Sequence, residues 1–190
     1  MKRDFLGDSY DIVKHCLLSW LRPLGRWAVH PMFTEPVSPA DADAYSKLLG
    51  APLISVDQLH PDTDRSVYFA PARQCQDHLL LDPDTGISEK ERRGSRAPAY
   101  LFMSDLKSIA ASRRSAITMV FDQSLARGKE ASELARKLKL LHDRDLSAIA
   151  YQSHASFVLV SRDRGVVKEA FDLLVRRGLP EKRLLWDQRE

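Results

Sequence analysis

Leu79-Leu80-Leu81 and Ala116-Ile117-Thr118-Met119-Val120-Phe121 are apolar runs without regular alternation, and a helix-length segment stands between them. A strand wetted on one face alternates apolar and polar residues, whereas a strand covered on both faces does not. The two runs therefore predict inner strands of a sheet with helices above and below. Each is followed by a polar cluster and a helical pattern, the order from which parallel strands are built.

The rest of the chain extends that alternation. Asp8 and Ser9 are N-cap residues, and Val13, Cys16, Leu17, Trp20, Leu21 and Leu24 recur at helical spacing until Gly25. Cys16 is expected in the core on that apolar face. Residues 27–33 read as a strand that Pro31 confines or ends. Ser38-Pro39-Ala40-Asp41 opens a helix reaching Gly50, Pro52–Val56 reads as a strand, and residues 57–77 as loop with some irregular structure. Ser88–Pro98 is a polar segment expected to be a mobile loop, and Tyr100–Arg114 and Lys129–Leu141 are predicted helices. Ala148–Tyr151 and Phe157–Val160 stand nearly back to back. Their connection is too short for a helical crossover, so they are expected to pair as an antiparallel hairpin. Asp163 caps a last helix that Gly178 ends, and Arg183–Trp186 can add an edge strand.

A chain of 190 residues, 44% hydrophobic and 29% charged, fits one domain over residues 1–190 with a full core. The expected class is α/β: a single-domain, Rossmann-like, mostly parallel sheet with helices on both faces and a late antiparallel hairpin. A net charge of +3 admits a nucleic-acid or small anionic partner and requires neither. Cys16 and Cys75 lie far apart without zinc-ligand spacing or a disulfide framework. The basic opening Met1-Lys2-Arg3 lacks the apolar segment of a signal peptide, and no run approaches the roughly 18 apolar residues of a membrane span. A cytoplasmic monomer or small homo-oligomer, with no membrane partner, is the expectation.

Ligands of open α/β sheets bind beyond the carboxyl ends of the strands. Asp82-Pro83-Asp84-Thr85-Gly86 stands at such an end, and two carboxylates there can hold Mg²⁺ through oxygen ligands. The same residues are also turn formers. Asp122-Gln123-Ser124 ends the next inner strand. If the two strands are neighbours, Asp82, Asp84 and Asp122 share one rim, a crowding that a cation or Arg127 would relieve. Asp122 and Ser124 serve equally as caps of the following helix. His154, between serines in the hairpin connection, has the chemistry of a general acid or base, and of a solvated turn residue. Arg92 and Arg93, in the segment Lys90–Arg96, are candidate phosphate contacts or simply a solvated loop.

From Leu79 onward, the order strand, helix, strand, helix, hairpin resembles the second half of Rossmann-like methyltransferases. Asp82-Pro83 matches the first two residues of their Asp/Asn-Pro-Pro-Tyr/Phe motif, while Asp84 departs from it by placing a charge where the family keeps a neutral wall. The first strand leads into Met32-Phe33-Thr34-Glu35-Pro36 without the glycines of a cofactor loop, so S-adenosylmethionine is not expected. Asp82 and Asp84 also resemble the Asp-x-Asp pair of haloacid-dehalogenase-type phosphatases. Gly7-Asp8-Ser9-Tyr10-Asp11 resembles that family's acid motif, and Ser161 its phosphate ligand, in permuted chain order. The plainer reading of Asp8 and Asp11 is a cap and a first-turn carboxylate favoured by the helix dipole.

These readings lead to a Mg²⁺-dependent enzyme acting on a phosphorylated small molecule or nucleic acid. Asp82, Asp84 and Asp122 would hold the metal and carry the chemistry with His154, while Ser124, Arg127, Arg92 and Arg93 would bind substrate. The alternative is a non-catalytic, methyltransferase-like binding module with a structural acidic turn; a methyltransferase comes third.

Overall fold

Asp8 accepts hydrogen bonds from Tyr10 N (2.8 Å) and Asp11 N (3.1 Å), which fixes the start of helix α1, Ser9–Leu21. Gly25 turns the chain into strand β1, Trp27–Pro31. Ser38 caps α2, Pro39–Leu49, and Gly50 ends it in the left-handed conformation. The segment expected to be irregular carries two short helices, α3 (Arg65–Tyr68) and α4 (Ala70–Gln74). Strand β2 is His78–Asp82, and two short strands follow, β3 (Gly86–Ser88) and β4 (Tyr100–Phe102). The remaining elements are α5 (Met103–Ser112), β5 (Thr118–Asp122), α6 (Glu130–His142), β6 (Ser147–Tyr151), β7 (Ser156–Ser161), α7 (Arg164–Arg176) and β8 (Leu184–Trp186). This computed structural model describes residues 3–143 and 145–186, so Met1 and Lys2 of the basic opening lie outside it.

The chain forms a mixed α/β fold around a six-stranded sheet of order β1-β2-β5-β7-β6-β8. The ladders β1/β2 and β2/β5 are parallel, while β5/β7, β7/β6 and β6/β8 are antiparallel. Four strands therefore run one way and two the other, and the mostly parallel expectation holds only for the β1-β2-β5 half. The hairpin is as expected: Tyr151 pairs directly with Phe157.

Three local expectations are corrected. Pro52–Val56 is not a strand; it touches the β1 edge through Pro52 O and Ile54 N, both bonded to Val29 at 2.9 Å, with one bridge at Leu53. The helix expected from Tyr100 begins at Met103, because Tyr100–Phe102 pairs in parallel with Gly86–Ser88. Cys16 is half-buried at the margin of the apolar face of α1, whose buried residues are Asp11, Lys14, Leu17, Leu18 and Leu21.

Alternation along the strands divides the core. Leu80, Met119, Phe121 and Leu159 face α1, α2 and α7, whereas Leu79, Leu81, Val120 and Val160 face α4, α5 and α6. Among the described residues no helix is long and apolar enough to cross a membrane.

Candidate active site at the carboxyl edge of the sheet

Leu81 lies in register with Val120, so Asp82 falls beside Phe121 and one residue out of step with Asp122. Side chains alternate across a sheet, and a slip of one residue changes the face. Asp82 accordingly points with Leu80 toward α1 and α2, and Asp122 points with Val120 toward α6. The single acidic rim expected for Asp82, Asp84 and Asp122 is thus split between two faces.

On the first face, Lys14 is 3% exposed and lies 2.8 Å from Asp11 Oδ1 and 2.8 Å from Asp82 Oδ1, both carboxylates being 1% exposed. The contact to Asp11 is a hydrogen bond; the one to Asp82 is an ion pair outside hydrogen-bonding geometry. Tyr45 of α2 donates to Asp82 Oδ2 at 2.6 Å, and Gly7 N donates to Asp11 Oδ2 at 2.8 Å. The ammonium also stands 4.6 Å from the centroid of the Phe121 ring. Burial pulls the Lys14 pKa down, but Asp82 and Asp11 outweigh it and hold the ammonium above its ordinary value. Burial pushes the Asp11 carboxyl up, against the pull of Lys14 and with the help of Asp82. One lysine between two carboxylates leaves a surplus negative charge.

This array opens into a cavity of about 190 Å³ lined also by Asp8, Asp84, Tyr10 and Gln123. Asp84 is half-buried there and accepts from Thr34 Oγ1 at 3.3 Å. Two sequence-predicted pairs, Asp8/Asp11 and Asp82/Asp84, therefore meet although some 70 residues separate them. Asp8 itself is the helix cap.

On the second face, Asp122 is fully buried and satisfied. Lys137 Nζ approaches its Oδ2 at 2.6 Å, and Ile87 N (3.0 Å), Ser124 N (3.1 Å) and Ser124 Oγ (2.7 Å) surround Oδ1. Ser124 Oγ also accepts from Lys137 at 2.9 Å, so Ser124 belongs to this anchor rather than to the cleft. The anchor ties β3 to the end of β5. It also fixes Gly86, with φ +125°, since a Cβ there would come within 2.2 Å of Asp122 Oδ1.

The other expected residues scatter. His154 is exposed at the hairpin tip, its ring 6.5 Å from that of Tyr10. Arg127 shares with His154, Tyr10 and Gln123 a cavity of about 640 Å³ that adjoins the first. Arg92 lies on the α6 side, bonded to Ser88 Oγ at 3.0 Å and seated over the Tyr100 ring. Arg93 is exposed in the loop beyond it. At the opposite end of the strands a cavity of about 410 Å³ contains Arg113, whose guanidinium is taken up by carbonyls of Cys75, Asp77 and Ile117 and by Thr118 Oγ1.

Among the described residues no group of three or more His, Cys, Asp or Glu is placed to hold a metal ion. The donor set explains this: Tyr45 and Lys14 occupy Asp82, and Lys137, Ser124 and Ile87 occupy Asp122. A cation shared by Asp82, Asp84 and Asp122 does not fit.

Lys14, Tyr45 and Lys137 were not singled out from the sequence, yet a signal existed. Lys14 falls among Leu17, Leu18 and Leu21, and Lys137 among Leu134, Leu138 and Leu141, each on the buried face of its helix. A lysine on such a face needs a buried anion. No protein-family model, curated protein or solved structure matches the chain.

Proposed function

We propose that the Lys14 cleft is the active site of an enzyme acting on a phosphorylated substrate, free or within a nucleic acid. One observation carries the reading: a lysine held between two buried carboxylates, at the carboxyl end of parallel strands, opening onto a cavity. Buried ion pairs contribute little net stability compared with apolar packing of the same volume. Charge-perturbed groups in a cleft are the usual mark of a working site. In this reading Lys14 stays protonated and stabilises negative charge developing on a phosphoryl oxygen. Asp11, with its raised pKa, exchanges a proton with the reacting group. Asp82 and Tyr45 position the ammonium, and Arg127 offers a second cationic contact.

The strand order supports a Rossmann-like reading of the fold, with β7 set antiparallel between β5 and β6. A non-catalytic binding module is favoured by a different observation, the complete internal satisfaction of Asp122. A methyltransferase has less support, since β1 runs into Met32 and Phe33, both buried, with no glycine before Pro36.

The test is turnover of p-nitrophenyl phosphate, nucleotides and a short oligonucleotide, with and without Mg²⁺, by wild type, Lys14→Met and Asp11→Asn. The enzyme reading expects phosphate or cleaved product from wild type and loss in both variants, with folding checked by circular dichroism. Ligand-dependent stabilisation of wild type without any turnover would establish the binding module instead.

A further inference from the structure

Tyr10 and His154 both line the larger cavity, their rings within 17° of parallel and their centroids 6.5 Å apart. Carbon atoms in best contact lie about 3.5–4.0 Å apart, so a planar ring slotted between two others needs roughly 7 Å. The centroid separation is thus close to that of a sandwich. Tyr10 is backed by Phe121, with centroids at 5.5 Å, which makes it the fixed wall. His154 is the movable one: it is exposed at a hairpin tip, and no hydrogen bond or ion pair ties its ring among the described residues.

We propose that Tyr10 and His154 clamp the base of a nucleotide, with Arg127 on its phosphate side and Gln123 at the base edge. The cavity they share is about 640 Å³, within the range of small-ligand sites. Asp122 pairs with Lys137, while Glu130, which accepts from Gly128 N at 2.9 Å, keeps its charge under the influence of Arg127. Arg127 is exposed and forms no ion pair among the described residues, so its guanidinium is open to a phosphate. Leu125 adds apolar surface, and Gln123 offers an amide that both donates and accepts. Tyr10 and Gln123 also line the Lys14 cavity, so a clamped base places the rest of the nucleotide at the mouth of the proposed active site. Aromatic stacking accepts every base, because each has a π face. The clamp therefore specifies a nucleotide without specifying which. This second step rests on the enzyme reading of the Lys14 cleft; the clamp itself does not.

Calorimetry and the His154 ring-proton signals, titrated with adenosine monophosphate, ribose 5-phosphate and a short oligoadenylate, test it. Adenosine monophosphate or oligoadenylate should bind and shift the His154 signals upfield, and ribose 5-phosphate should bind about tenfold more weakly. His154→Ala should weaken the adenine ligand by about tenfold and leave ribose 5-phosphate unchanged, and His154→Phe should restore binding. Equal binding of adenosine monophosphate and ribose 5-phosphate, or an unaffected His154→Ala, would overturn the clamp. Lys14→Met separates the two claims, because it should keep adenine binding while losing turnover. Adenine binding without turnover in wild type would sink the enzyme and leave the clamp. Turnover of adenine nucleotides indifferent to His154→Ala would do the reverse.

Discussion

Replacing Lys14 by methionine keeps most of the side-chain volume and removes the ammonium. Asp11 and Asp82, each 1% exposed, are then left beside one another with no cation between them. Tyr45 still donates to Asp82 Oδ2 and Gly7 N to Asp11 Oδ2, but the two inward oxygens lose their partner. Removing one member of a buried ion pair typically costs about 3–5 kcal/mol, and Lys14→Met belongs at that level. Lys137→Met is the internal control. It also removes a buried lysine, 3% exposed, but Asp122 keeps Ile87 N, Ser124 N and Ser124 Oγ. Its carboxylate remains solvated by the protein, so the expected loss is smaller, about 1–3 kcal/mol. Urea unfolding followed by circular dichroism measures both. The pH dependence supplies a second check. Without Lys14, the paired carboxylates must share a proton in the native state, which raises a native pKa above its unfolded value near 3.9. The native state then binds more protons than the unfolded one, so stability rises as pH falls from 7 toward about 4. The deficit of Lys14→Met relative to wild type should shrink on acidification. A Lys14→Met protein as stable as wild type, or less affected than Lys137→Met, would refute the electrostatic account of this cluster.

His30 is fully buried between Tyr68 and Phe69, and burial lowers its pKa to about 4. The native state keeps it neutral, so stability is complete above about pH 6.5 and is lost as pH falls from there toward 4, by on the order of 3 kcal/mol. Thermal melts between pH 7 and 4.5 should show that loss in wild type and a smaller one in His30→Leu. Gly86→Ala forces a residue with a side chain to φ +125° and puts a Cβ against Asp122 and Gln123 N. The backbone strain alone costs about 1–3 kcal/mol, and a melting temperature equal to wild type would contradict the anchor. Tyr45→Phe removes the donor at 2.6 Å from Asp82, at a cost of about 1–3 kcal/mol for the buried acceptor left behind. In the enzyme reading it slows turnover without abolishing it, and an unchanged rate would remove Tyr45 from the positioning of Lys14.

How far the sequence carried the fold depended on range. Inner strands at Leu79–Leu81 and Ala116–Phe121, the cap at Asp8, and the hairpin joining Tyr151 to Phe157 follow from local pattern, and the structure has the strands at His78–Asp82 and Thr118–Asp122. The pairing of Gly86–Ser88 with Tyr100–Phe102 was hidden, because each segment is three residues long and neither shows a strand period. The site was half legible. Carboxylates at strand ends are visible in the sequence, while the adjacency of the strands that carry them is only a condition there, which the β2/β5 pairing meets. What the sequence does not print is the stagger between those strands. A stagger of one residue sends Asp82 and Asp122 to opposite faces, and that single offset has a consequence on each side. Each face must supply its own cation, and the nearest helix of that face does so, α1 with Lys14 and α6 with Lys137. The lysines on two otherwise apolar helix faces are thus the sequence-level trace of the stagger. The two pairs then diverge in chemistry. Around Asp122 the lysine, serine and backbone donors close the site and tie β3 to β5. Around Asp82 the side-chain partners among the described residues are Lys14, as an ion pair, and Tyr45, Asp11 adds a second carboxylate, and the array opens into a cavity. That difference is why the function is placed at Lys14 and the anchoring at Lys137.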